Sequence, residues 1–314
     1  MNFPDKGMLL DTIKGSIATL ALFIAFISLP LAGILPGLFA PLPAMYYILK
    51  SGKRVGFAIV LITAALLAII AEPMAMLLFL AQAGLISLAL PHFLVKGWGG
   101  AQAVAFSAAV GFAFTLLIAA ALWLGQGVDL HREILNGINS SISQTAALYE
   151  KSGLKGEDLQ ALQQGMKQAG AVIGRIYPAL VLTGLGVIAA INLLVLKRMA
   201  VRLNRPLLVG DLKKFRNPDH LIWFAIVAGF ALLLKNSAVT TAALNVLVVT
   251  LSLYFLQGLA IIMFFFDRFA VQRFVQVIFY ILLALQPYLA VAVAVLGIFD
   301  LWGNFRTPKQ QENL

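Results

Sequence analysis

The segment GQGVDLHREILNGINSSISQTAALYEKSGLKGEDLQALQQGMKQAGAVIGR, residues 125–175, is the one long polar stretch in a chain that is otherwise almost wholly apolar. It separates an apolar half before it from an apolar half after it. Leu130, Ile134, Ile138 and Ile142 recur every four residues, and Leu159, Leu162, Met166, Ala169, Ile173 and Ile176 recur at three and four. Both spacings give a helix with one apolar face. Lys151-Ser-Gly-Leu-Lys-Gly156 between them is rich in turn formers, and Glu157 and Asp158 suit the positive end of a following helix. The segment therefore predicts an amphipathic helical hairpin. No stop signal precedes Tyr177, so its second helix runs on into the next apolar segment, with Pro178 as a kink.

Composition sets the class. The chain has 314 residues, 61% hydrophobic and 11% charged, against about 45–50% and 25% in a soluble domain. Unbroken apolar runs, without the alternation of a barrel strand, imply an all-α polytopic membrane protein. The net charge of +10 does not indicate nucleic acid, because cytoplasmic loops of membrane proteins collect Lys and Arg. The absence of cysteine excludes disulfides and thiolate sites. His92, His131 and His220 have no ligand spacing, so neither a metal nor a cofactor is expected. Asp5 and Asp11 among the leading lysines, and the spans that follow, predict an uncleaved N-terminus.

About nine transmembrane helices (eight to ten) follow from the apolar runs. A five-span half covers 1–124, the hairpin 125–176, and a second membrane half 177–302 holds a basic loop at 197–220; a polar, disordered tail follows at 303–314. Pro30, Pro36, Pro41 and Pro43 prevent residues 30–43 from forming one straight helix, so the chain turns near Pro30–Pro36. Glu72-Pro73 is a tight turn, and 91–100 is a loop carrying His92 and Lys96. Residues 221–234 are short for a span that needs roughly 20 residues. Residues 271–301, broken by Pro287, are one kinked span or two short segments. With the N-terminus in the cytoplasm, 15 of the 23 Lys and Arg fall inside and eight outside, which puts the hairpin outside. If 271–301 doubles back, Arg306 and Lys309 move inside and the division becomes 17 to six.

Ionisable groups at membrane depth are functional candidates, and few lie mid-span. Glu72 is a turn carboxylate or the lining of an outward-facing site; Lys235 snorkels; Asp267-Arg268 anchors a span end. Thr241, Asn245 and Ser252 share one helix face. Gln82, Asn192, Gln257 and Gln286 are further in-span amides that either bridge helices or face a polar cavity. Pro41, Pro43, Glu72, Gln82, Asn245 and Gln257 are the expected ligand-binding set, because proline-broken helices expose backbone groups to polar ligands. Gly33-x-x-x-Gly37 and Gly170-x-x-x-Gly174 match a close helix-contact spacing. No phosphate loop, Ser–His–Asp order, His-Glu-x-x-His pattern or paired intramembrane carboxylates occur, so an enzyme is not expected. The basic loop is expected to fix topology and touch anionic lipid headgroups.

Gly297-Ile-Phe-Asp-Leu-Trp-Gly-Asn-Phe-Arg306 reads physically as an interface anchor built on Asp300, Trp302 and Arg306, in which the two charges can pair or bind lipid. It resembles the C-terminal signature of the YybS-like family of bacterial multi-pass membrane proteins. Ala40-Pro-Leu-Pro43 followed by a basic turn, the polar hairpin at mid-chain, and Tyr254-Phe-Leu-Gln-Gly-Leu-Ala260 are similar to that family too. The resemblance covers the whole chain by layout. It implies likeness, in the N-terminal half, to the substrate-binding subunits of energy-coupling-factor transporters, six-helix proteins that bind a small molecule near the outer face. The expected function is binding or transport of a small solute at a bacterial cytoplasmic membrane, with the hairpin as a lid. The alternative is a non-transporting scaffold for envelope or cell-cycle assembly. Expected partners are lipid, a small-molecule ligand, and a membrane or envelope protein.

Overall fold

The computed structural model describes residues 6–29, 32–153, 155–207 and 209–306, and every regular element among them is helical. Helix α1 is Lys6–Ser28, α2 Ile34–Phe39, α3 Leu42–Ser51 and α4 Lys53–Ile70. Helix α5 is Pro73–Phe79, and a π-helical turn at Leu80–Gly84 joins it to α6, Leu85–Val95. Helix α7 is Gly100–Gln126, α8 Leu130–Lys151 and α9 Glu157–Arg202. The last four are α10 Leu221–Ala231, α11 Ser237–Arg268, α12 Arg273–Leu285 and α13 Pro287–Gly303.

Six helices are long and apolar enough to cross a membrane, or seven if α12 and α13 are one bent span. The count of nine adds two segments that fall short alone. The run 34–51 is interrupted after Phe39, and the 11 residues of α10 reach only about 16 Å into a core about 30 Å thick. Pro287 separates α12 from α13, which meet at 108°. The loop expected at 91–100 is shorter than that, because α6 runs through Pro91 to Val95 and carries His92. A proline inside a helix withdraws one donor, which a buried, packed helix tolerates.

The chain forms two compact units: residues 1–136 with 181–209, and residues 137–180 with 210–314. In the first, two apolar cores form. One joins Met45 and Leu49 to Ile86, Leu90, Leu193 and Leu196; the other joins Phe23 and Ala40 to Ile59, Leu67 and Phe79. In the second, α11 packs on α10 and, over its C-terminal half, on α13. The hairpin is present as α8 and the start of α9, and the break between them is 152–156. Gly170 lies against Ile138 and Ile142, so the periodic apolar faces do meet. Helix α9 then continues without interruption past Pro178 to Arg202. Of the turn expected near Pro30–Pro36, residues 30 and 31 lie outside the described residues, residues 32–33 form a turn and α2 starts at Ile34; the tail beyond residue 306 also lies outside them.

Candidate functional site

In the first unit, two prolines strip the hydrogen bonding from one helix run. Pro41 and Pro43 have no N–H, so the carbonyls of Gly37 and Phe39 lose their usual helical donors. Gly37 takes the Ala40 N–H instead, at 3.3 Å. Ala40 and Pro41 keep right-handed helical angles, so the break is in bonding rather than in direction. Two side chains serve it. Asn192 Nδ2 donates to Leu38 O and to Ile188 O, both at 2.7 Å. Ser87 Oγ donates to Ala83 O at 2.7 Å, with Pro41 O a second neighbour at 3.3 Å.

Both amide protons of Asn192 are engaged by carbonyls, which fixes which way the group points. Its Oδ1 is then left buried and without a protein partner, in a residue that is 0% exposed. An orphan of this kind costs about 1–3 kcal/mol, so it is a feature that needs an occupant or an explanation.

The π-turn lies one helical turn before Ser87. The Leu85 N–H bonds Leu80 O, five residues back, a geometry frequent at functional sites. A Cβ on Gly111 of α7 would lie 2.9 Å from Ala81 O, so α7 meets this turn at glycine distance. Gln82 is half-buried within the turn. Pro41 is buried and Pro43 half-buried at the break, while Glu72 stands exposed at the start of α5. Pro41, Pro43 and, through Ser87, the π-turn bearing Gln82 are thus neighbours in structure. Asn192, an amide 154 positions from its acceptor Leu38, and Ser87 join them; neither pairing is visible in the sequence.

The second unit holds a different polar constellation. Gln257 is 0% exposed on α11. Its Oε1 accepts the Asn217 N–H at 2.9 Å and its Nε2 donates to Asp300 Oδ2 at 3.0 Å. Asp300 Oδ2 also accepts from Arg306 Nη2 at 2.6 Å, and Oδ1 accepts the Phe305 N–H at 3.1 Å. Arg306 Nη1 then reaches Lys213 O and Phe215 O, and Asn217 Nδ2 reaches Leu253 O. Residues 213–217 of the basic loop are therefore clasped along α11. Lys213 pairs with Asp267, whose carboxylate holds the Lys213 ammonium above its ordinary pKa. Of the expected interface anchors, buried Asp300 pairs with half-buried Arg306, and Trp302 stays 70% exposed.

Asn245 serves α9. Its Oδ1 accepts the Ala179 N–H at 2.9 Å and its Nδ2 donates to Arg175 O at 2.8 Å. It bonds both ends of a helical i, i+4 pair that brackets Pro178, where a donor is missing. Asn245 and Gln257 thus carry protein–protein bonds in the second unit, while Pro41, Pro43 and Gln82 belong to the first. Among the described residues no three His, Asp or Glu side chains gather as metal ligands.

Residues 17–301 match the family described as predicted membrane protein (DUF2232). The chain belongs to that family. The match takes in Pro41, Pro43, Glu72, Gln82, Asn192, Asn245, Gln257 and Asp300, and stops short of Trp302 and Arg306. No curated protein and no solved structure matches the chain.

Proposed function

We propose that this DUF2232 protein binds a small polar solute within its first unit and presents or moves it across a bacterial cytoplasmic membrane. One observation carries the reading: the buried, unpartnered Asn192 Oδ1 beside the helix break at 39–42. An acceptor held this way takes a hydrogen-bond donor, so the solute bears an N–H or O–H group. Interrupted helices supply further backbone groups in just such sites. The resemblance of Ala40-Pro-Leu-Pro43 and of the C-terminal signature to the YybS-like family, and through it to vitamin-binding membrane subunits, supports the same reading. So does the Lys/Arg count, which favours an N-terminus in the cytoplasm and the hairpin outside. No bond-making step and no cofactor enter it.

The test is native mass spectrometry of the protein extracted gently from its own host. Wild type is expected to retain a small molecule in stoichiometric amount, and Asn192→Leu to lose it while keeping a cooperative thermal transition. A retained protein partner with no small molecule overturns solute binding in favour of a membrane scaffold. Retention of the same molecule by Asn192→Leu overturns the site.

A further inference from the structure

Hydroxyls in buried helices usually turn back onto the carbonyl four residues earlier. Thr12, Ser87, Ser107, Thr115 and Ser252 all do so here, at 2.6–2.9 Å. Ser16, Thr19 and Thr63 do not. They are 3%, 0% and 0% exposed, and each hydroxyl oxygen lacks any protein partner. Ser16 and Thr19 are buried on α1 and Thr63 on α4, and these two helices pack on each other in the first unit.

The register of the α1–α4 seam follows from its close contacts. Helix α3 runs antiparallel to α1, since Lys50 and Ser51 bond Asp11 while Tyr47 lies against Gly15, one turn further along α1. It also runs antiparallel to α4, since Ile48 covers Gly56. Helices α1 and α4 are therefore parallel, and Gly15 abuts Ile59. One turn further on, four residues along each helix, Thr19 and Thr63 stand at the same level. Ser16 is three residues before Thr19, about 4.5 Å along the axis. Three buried, unpartnered hydroxyls thus lie within one turn of the same level on two packed helices.

We infer that this seam is a hydration site, with one ordered water or a neutral guest of that size bridging Ser16, Thr19 and Thr63. A buried water makes about three hydrogen bonds, and three hydroxyls stand ready for it. Each hydroxyl can donate or accept, which a neutral guest of mixed polarity needs. A bare cation fits less well. The near carboxylate is Asp11, about 7.5 Å along α1 from Ser16 and about 12 Å from Thr19, and it is already engaged by Lys50 at 2.7 Å and Ser51 at 2.5 Å. An uncompensated charge in the seam carries a desolvation penalty that hydroxyls do not offset. The site stands apart from the Asn192 acceptor and does not rest on the solute reading.

Isosteric substitution tests it by sign. Were the seam dry, Thr63→Val would remove an unsatisfied buried hydroxyl and raise the thermal midpoint. With a bridging guest, Thr63→Val and Thr19→Val each lower the midpoint, and the double variant falls by less than the two shifts together, because the first change already breaks the bridge. A rise in either single variant overturns the inference. So does a sodium-specific rise in the wild-type midpoint, measured against choline at equal ionic strength, that Thr63→Val abolishes. Radiolytic hydroxyl labelling of the wild type needs no variant. Bound water predicts modification at buried Phe23 or Ile59, and protection of both overturns the site.

Discussion

Asp300 is 2% exposed and accepts from three groups, Gln257, Arg306 and the Phe305 N–H, while Arg306 in turn donates to the backbone of the basic loop. A buried carboxylate of this kind is stable only while its counter-charge stays. Removing one partner of such a pair costs about 3–5 kcal/mol, whereas replacing both by apolar groups of similar volume is often neutral. Arg306→Gln is therefore expected to lower unfolding stability by about 3 kcal/mol in detergent. The paired Asp300→Leu/Arg306→Met change recovers most of that loss. The check is thermal denaturation of the single and double variants; equal losses in both would show that the ion pair itself, not the stranded charge, carries the effect. Limited proteolysis adds a second readout, since Arg306 binds the Lys213 and Phe215 carbonyls and its loss frees the 211–217 loop for cleavage. The pair was legible in the sequence, six positions apart within one motif. Its other partners were not. Gln257 and Asn217 lie 43 and 40 residues away from the groups they bond, and a carboxamide in a span has no local signal for which strand of chain will meet it.

Among elements, the hairpin was readable because its apolar faces repeat at helical spacing against a polar background. The membrane helices carry no such contrast. A run that is apolar all round shows neither its bends nor its neighbours, so the 108° turn between α12 and α13 and the π-turn at Leu80–Gly84 left no mark beyond Pro287. Glycine contacts now rank the helix pairs. A Cβ on Gly258 would collide with the Val293 carbonyl, and one on Gly297 with the Tyr254 carbonyl, so α11 and α13 touch backbone to backbone. On Gly170 the nearest atom is the flexible Ile142 Cδ1, at 2.6 Å. At Gly165 nothing lies within 4 Å. Gly258→Ala and Gly297→Ala are thus expected to be destabilising by about 3 kcal/mol or more, the upper end for overpacking. Gly170→Ala loses about 1 kcal/mol, and Gly165→Ala gains about 0.5–1 kcal/mol from helix propensity. Thermal midpoints of the four variants check the order; Gly258→Ala matching Gly165→Ala would mean that α11 and α13 are not in close contact.

For the whole molecule, the sequence offers a clean experiment because it contains no cysteine. Any single cysteine reports its own side of the membrane without a background to remove. With nine spans and a cytoplasmic N-terminus, 15 of the 23 Lys and Arg would fall on the side of the N-terminus, and an excess of this size in short loops would set that orientation. Helix α9 links the hairpin to the basic loop through 46 uninterrupted residues, about 69 Å, more than twice the hydrocarbon thickness. A helix of that length that crosses the membrane would carry its two ends to opposite faces, and two cysteines test this. Ser152→Cys, exposed at the hairpin turn, and Asn204→Cys, exposed at the start of the basic loop, are the natural pair. In intact cells an impermeant maleimide is expected to label Ser152→Cys and leave Asn204→Cys untouched until the membrane is opened. The reverse pattern inverts the protein and moves the polar hairpin into the cytoplasm. Labelling of both in intact cells would mean that α9 does not span the membrane, and the solute reading, which needs the Asn192 region of α9 at membrane depth, would go with it.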